Sequence, residues 1–331
     1  MNNKGFSPDE IIFSSTTACN LHCDHCFVNR NPCKLDINQA IHFLQNCAQS
    51  GKINRLGFSG GEPFLYLDFL LAITKEALSL DIMFDQIMTN GDWWQTEEDL
   101  TSTLQSLYNS GYDGKIGLSW DKYHGQTTER MQTFIKTVQQ IFGDQAINIQ
   151  KVQEQGGGII GLNKLEKTVQ RTIFSNLFDK QSLGRTSLRP TPSAGDTPAT
   201  PPIPFPEEVP LYTLPRTYTS DDPLAWQARH WFKEDYCQGP GNILYVHADG
   251  NIAPCCGFAN ENQALFIGRI TDSFETIIKK AEQNIMVQRC FTQGLSHYRR
   301  HELKKELKAC SKKLPGKTSD ICTFCDFVCK L

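Results

Sequence analysis

No apolar run in this sequence approaches the roughly 18 residues that a membrane-spanning helix requires. The opening, Met1-Asn2-Asn3-Lys4-Gly5, lacks the hydrophobic core of a secretory signal. A cytoplasmic protein with no membrane partner is the expectation. Charge of one sign is missing too. The formal net charge is −3, which gives no general electrostatic case for a nucleic-acid partner. Hydrophobic residues at 39% and charged residues at 21% exclude a disordered chain. At 331 residues the chain can bury one large core and a smaller appendix. Cysteine is absent from the whole span between Cys47 and Cys237, yet the chain has thirteen. They fall in two groups, at 19–47 and 237–329. In a cytosolic chain of this length, clustered cysteines more often bind metal or do redox chemistry than form disulfides. The gap predicts two metal-binding regions.

The stretch Thr16-Thr17-Ala18-Cys19-Asn20-Leu21-His22-Cys23-Asp24-His25-Cys26-Phe27 follows the apolar run Ile11-Ile12-Phe13. Three thiolates can hold three irons of a [4Fe–4S] cube and leave the fourth iron open to a substrate or cofactor. Zinc is the alternative, with His22 or His25 as fourth ligand. On spacing alone both readings stand. A second motif, Gly60-Gly61-Glu62-Pro63, follows about one strand–helix–strand unit later.

Cys19, Cys23 and Cys26 together with Gly60-Gly61-Glu62-Pro63 resemble the radical S-adenosylmethionine (SAM) superfamily, in order and in position. The resemblance implies that the open iron chelates the amino and carboxylate groups of SAM. It implies one-electron cleavage to a 5′-deoxyadenosyl radical, with a donor such as flavodoxin or ferredoxin. Gly60 and Gly61 would let backbone approach the cofactor, and Glu62 would accept from its ammonium. Pro63 completes the motif. Family members also use polar residues at strand ends. Asn90 and Ser119 with Asp121 hold such positions here, although Ser119 and Asp121 serve equally well as caps or turn formers. Gln153, Glu154 and Arg216 are weaker candidates of the same kind.

Apolar runs at about 10–15, 53–59, 83–89, 114–120 and 146–152 read as short buried strands. Helical patterns separate them. Asp36 and Thr96 are set to cap two of these, and Gly51, Gly111 and Gly143 to end three. Repeated strand–helix units demand a parallel sheet. The class is α/β, and the resemblance implies a partial (β/α)6 barrel over 8–220. Its sixth strand is expected within Leu211–Thr219. Between strands five and six come Gly156-Gly157-Gly158, a helical stripe from Leu162 to Phe178, and a segment from Gly184 to Pro215 holding nine of the sixteen prolines. The barrel's insertion, 156–210, takes in most of this span.

A smaller α+β unit is expected over 221–331. Ile243 to Ala253 reads as a hairpin turning at Asp249-Gly250. A basic helical stretch runs from His297 to Lys308. Cys237-x12-Gly250-x4-Cys255 resembles the opening of the SPASM/twitch domains that follow some radical SAM barrels and bind auxiliary [4Fe–4S] clusters. Only Cys322-x2-Cys325-x3-Cys329 remains of the rest of that pattern, which favours one auxiliary cluster. Cys237, Cys255, Cys322 and Cys325 are the preferred ligands, with Cys329 able to replace one of the last pair. Zinc on the same thiols is the alternative. Cys33, Cys47, Cys290 and Cys310 read as core or surface thiols.

Cys256 directly follows Cys255, and neighbours on a strand point opposite ways. A spare thiol beside a redox centre resembles the arrangement of radical SAM peptide epimerases, which return a hydrogen atom from a cysteine. For a peptide or protein substrate the favoured outcome is α-carbon epimerisation with Cys256 as hydrogen donor; a thioether or carbon–carbon crosslink and side-chain oxidation are the rivals, and Cys256 as a buried or alternative ligand thiol is the plain alternative. A zinc-binding interaction protein is the non-enzyme alternative.

Overall fold

Each expected strand from one to five forms, and after each of the first four a helix carries the chain back to start the next. A computed structural model describes residues 5–28, 31–153, 203–237, 239 and 241–331. In order come β1 (Glu10–Ser14), α1 (Ile37–Gln49), β2 (Arg55–Ser59), α2 (Leu67–Ser79), β3 (Met83–Thr89), α3 (Glu97–Asn109), β4 (Lys115–Ser119), α4 (Thr128–Phe142) and β5 (Ile147–Val152). The sixth strand, β6, is Leu211–Leu214, shorter than expected. Pro215 follows it and has no backbone N–H for a ladder bond. Glu154, Gly156 to Gly158, the stripe from Leu162 to Phe178 and residues 184–202 lie outside the described residues.

All six strands are parallel and pair in chain order. Their period of two divides the side chains. On β1, Ile11 and Phe13 are wholly buried on the helix side. Phe13 meets Phe43 of α1 and Phe69 of α2 with ring centroids 6.4 and 5.7 Å apart. Truncating such a ring costs about 3–5 kcal/mol. Glu10, Ile12 and Ser14 take the opposite face, the inside of the barrel. Capping follows the sequence. Asp36, Thr96 and Thr127 each accept a backbone N–H from three residues on, at Gln39, Asp99 and Arg130.

The expected hairpin forms as β7 (Gly241–Val246) and β8 (Asn251–Cys255), turning at Gly250 with φ of 81°. Its placement is new information. β7 pairs in parallel with the free edge of β1, matching Ile12 to Tyr245. One sheet therefore runs β6-β5-β4-β3-β2-β1-β7-β8-β9, where β9 is Gly268–Arg269. Leu244 and Val246, both wholly buried, continue the apolar layer of Ile11 and Phe13. Beyond the sheet lie α5 (Phe274–Gln283), α6 (Leu295–His301), α7 (Leu303–Ala309) and α8 (Ile321–Cys329). The architecture is α/β, a partial barrel with a small α+β appendix. No helix among the described residues is long and apolar enough to cross a membrane.

Candidate active site and thiol pocket

The cysteine loop leaves the carboxyl end of β1, and the Gly60-Gly61-Glu62-Pro63 turn leaves that of β2. Backbone ties the two together. Gly61 N donates to Thr16 O at 2.7 Å, and Glu62 N donates to Ala18 O at 2.8 Å. A Cβ on Gly61 would stand 2.3 Å from Ala18 O, and one on Gly60 would stand 2.6 Å from Thr16 O. The close approach the glycines permit is therefore to the cysteine loop itself. That contact holds the loop against the barrel mouth.

Glu62 turns inward and is wholly buried. One carboxylate oxygen accepts from Phe64 N at 3.1 Å and from the Thr89 hydroxyl at 2.8 Å. The other accepts from Asn90 N at 2.8 Å. Burial pushes the carboxyl up to about 7 against these bonds. Both oxygens thus accept from the turn or from the end of β3. Pro63, also buried, opens the short helical turn after it. Glu62 in turn fixes Asn90, whose amide donates to Asn20 Oδ1 at 2.9 Å and toward Cys19 Sγ at 3.6 Å. Leu21 N points at the same sulfur from 3.4 Å. Burial raises the Cys19 thiol above its usual range, and these two N–H donors work against that, favouring the thiolate that ligates iron.

Ser119 ends β4 half-buried, and its carbonyl and that of Asn90 both accept from Gln126 Nε2, at 2.7 and 2.6 Å. Asp121 is buried and braces the next strand. Its oxygens accept from Tyr123 N at 2.8 Å and Val152 N at 2.9 Å. His124 Nδ1 lies 2.8 Å from Asp121 Oδ1. Against the cost of burial, that bond and the His124 charge hold the Asp121 carboxyl below the usual range. His25, inside the cysteine loop, meets the His124 ring at 4.9 Å and the Tyr123 ring at 5.5 Å. The potential ligand atoms of His25, Asp121 and His124 lie within 4.8 Å of one another. His124 is a member of this cluster. Trp93 stacks on Phe64 at 4.7 Å and Trp94 is buried, so both serve packing.

The second cysteine group converges. Cys237, Cys255, Cys322 and Cys325 line one pocket with Cys290, among apolar side chains such as Pro254, Leu265 and Leu295. Cys290 Sγ lies 3.8 Å from Cys325 Sγ. Cys290, expected as a core or surface thiol from its helical or loop pattern, is buried in this pocket among the candidate ligands. Asp320 caps α8 through Cys322 N and Thr323 N. Spacings of three and four residues then put Cys322, Cys325 and Cys329 on one helix face. Burial drives the Cys237 thiol up to about 12 and holds those of Cys255 and Cys322 far above the usual range. Such a nest ionises only when a cation compensates it, which is the chemistry of a metal or iron–sulfur site. The donor set fits one cluster. At the barrel mouth, the three-thiol loop with its N–H donors fits another.

Cys256 is exposed; the charges of Glu10 and Asp85 act on it, and it acts in turn on Tyr245 and on the pocket thiols Cys237, Cys255 and Cys322. Tyr245 is bonded to Ser14 and Ser59, which line the barrel's inner face. Surrounding atoms push the Cys256 thiol up to about 12, so it stays S–H at neutral pH. Cys255 pairs with Gly241 at the start of β7, below Glu10 in the register. Cys256 therefore sits at the amino end of the strands. The cysteine loop sits at the carboxyl end, roughly 15–20 Å away at about 3.3 Å per residue. Buried Glu10 and half-buried Asp85 form a further pair. Burial first and the Asp85 charge second raise Glu10 to about 8.

No family model matches the chain. The putative peptide biosynthesis protein YydG of Bacillus subtilis (strain 168) is 22% identical over 333 residues, covering 93% of this chain and 88% of that protein. An S-adenosylmethionine-dependent nucleotide dehydratase of Selenomonas ruminantium is 28% identical over 113 residues, 34% of this chain and 39% of its own length. The crystal structure of BtrN in complex with AdoMet and 2-DOIA aligns with a TM-score of 0.50 at 14% identity, covering 86% of this chain and 88% of that one. These likenesses show the fold: an α/β chain with a parallel-sheet core, which the BtrN structure shares.

Proposed function

We propose that this chain is a radical SAM enzyme that modifies a ribosomally made peptide, by epimerising α-carbons with Cys256 as the hydrogen donor. Cys19, Cys23 and Cys26 hold the [4Fe–4S] cluster that binds SAM. Cys237, Cys255, Cys322 and Cys325 hold one auxiliary [4Fe–4S] cluster. The chain divides at about residue 220 between these two tasks. When bound, the first cluster with SAM supplies a 5′-deoxyadenosyl radical, which removes a hydrogen atom from the substrate.

The chain's own residues set up the rest. Glu62 and Asn90 steady the cysteine loop at the mouth. Ser119, Asp121 and His25 shape the cofactor's side of it. Cys256 stands at the other end of the lumen, so a peptide held between is approached from opposite faces. Its S–H bond breaks, a new Cα–H bond forms with inverted configuration, and a thiyl radical is left. One electron from a flavodoxin- or ferredoxin-type donor and one proton restore the thiol. What supports the reading is the register that sets Cys255, and with it Cys256, at the amino end of the strands, opposite the end that carries the cysteine loop. Similarity to a peptide biosynthesis protein over most of the chain supports the substrate class.

The rival outcome, a crosslink, removes two hydrogens and has no use for Cys256. Turnover in deuterated water separates the two. Epimerisation adds about 1 Da per converted residue, because the exchanged thiol returns deuterium. A crosslink lowers the mass by two hydrogens. Cys256→Ala should still release 5′-deoxyadenosine but give no epimer. Epimer from that variant would refute the donor assignment.

A further inference from the structure

The basic stretch after residue 295 has no part in the site above. Between Leu295 and Lys317 stand eight lysines and arginines against two glutamates, a surplus of six positive charges in a chain whose total is −3. Neither glutamate is spare. Glu306 pairs with Arg289 and accepts from the Tyr298 hydroxyl, and Glu302 accepts from Gln293. On α7, Leu303 and Leu307 are buried while Lys304, Lys305 and Lys308 are exposed on the opposite side. Lys312 and Lys313 extend the exposed surface. Among the described residues, no carboxylate pairs with Lys304, Lys305, Lys308 or Lys313.

This surface lies close behind the thiol pocket. Glu306 of α7 is ion-paired to Arg289, the neighbour of Cys290. Leu295 at the start of α6 and Cys290 both line the pocket. α7 thus has Glu306 tied to the segment that carries Cys290, and Lys304, Lys305 and Lys308 exposed to solvent. Concentrated unpaired charge of one sign steers an oppositely charged partner. Its position selects which one: a partner docked here reaches the auxiliary site, not the lumen where a substrate is processed.

We propose that the lysine face of α7 is the docking surface for an acidic one-electron carrier protein, of flavodoxin or ferredoxin type. The proposal rests on the enzymatic reading above, and the test separates the two. The reconstituted full chain is assayed for 5′-deoxyadenosine with dithionite, then with recombinant flavodoxin and its reductase. Lys304→Glu/Lys305→Glu/Lys308→Glu is compared with a control reversal on other helices, Lys75→Glu/Lys136→Glu. The expected result is unchanged dithionite-driven turnover and a flavodoxin-driven rate lowered about tenfold or more, the low end of electrostatic steering. Wild-type flavodoxin affinity should fall steeply with salt, and the triple variant's should not. Flavodoxin-driven turnover equal to wild type in the triple variant would overturn the proposal. So would an equal loss in the control, or loss of peptide-substrate affinity in place of carrier affinity. No turnover with dithionite in the wild type would instead sink the enzymatic reading.

Discussion

Replacing Glu62 tests how the barrel mouth is held together. Its carboxylate satisfies three donors, Phe64 N, Thr89 Oγ1 and Asn90 N, in a wholly buried position. Glu62→Gln keeps the volume but turns one accepting atom into a donor, so at least one buried N–H or O–H loses its partner. That costs about 1–3 kcal/mol. Glu62→Ala strands all three and leaves a void, for about 3–5 kcal/mol. Urea unfolding of the metal-free protein, followed by circular dichroism, should rank wild type above Gln above Ala. Burial lifts the Glu62 carboxyl from 4.5 to about 7. In that window the folded chain keeps a proton that the unfolded chain releases. Wild-type stability therefore declines as pH rises from about 4.5 to about 7. Gln carries no such proton, so its deficit should shrink across the same window. Wild-type midpoints for both variants, or a deficit that grows with pH, would refute the brace.

Three further outcomes follow from the same structure. Glu10 is held protonated to about pH 8 by burial and by Asp85. Stability should therefore fall as pH rises from about 4.5 to 8, by up to about 1.4 kcal/mol per pH unit, and urea titrations of Glu10→Gln should show a flatter profile. Gly61→Ala would drive a Cβ to 2.3 Å from Ala18 O, which is backbone and cannot swing aside. Iron bound at the first site after reconstitution should drop by more than half, while iron at the thiol pocket persists. Cys322→Ala with Cys325→Ala should remove the pocket's iron and leave the first site's electron paramagnetic resonance signal in place.

The strands were legible because a parallel sheet covered by helices demands continuous apolar runs, and Leu56-Gly57-Phe58 or Ile116-Gly117-Leu118 supply them. Caps such as Asp36 and Thr96 act within four residues, so local sequence suffices. Pairing of the hairpin with β1 was not legible. Leu244 and Val246 announce a buried face without saying which edge buries it. The three-thiol loop was visible in its spacing, whereas Cys290 comes to the pocket only through tertiary packing. Glu62 was legible as a hydrogen-bond acceptor beside the cysteine loop. Its commitment to Thr89 and Asn90 depends on the end of β3 lying beside the turn, a long-range fact. The Glu10–Asp85 pair was hidden for the same reason.

The most direct measurement is 5′-deoxyadenosine released by the anaerobically reconstituted protein, given SAM and dithionite, with iron counted on the same sample. The account predicts an iron-loaded brown protein that releases 5′-deoxyadenosine, and none from Cys19→Ala. A colourless zinc-bearing protein, or an iron-loaded one that never cleaves SAM, would contradict it.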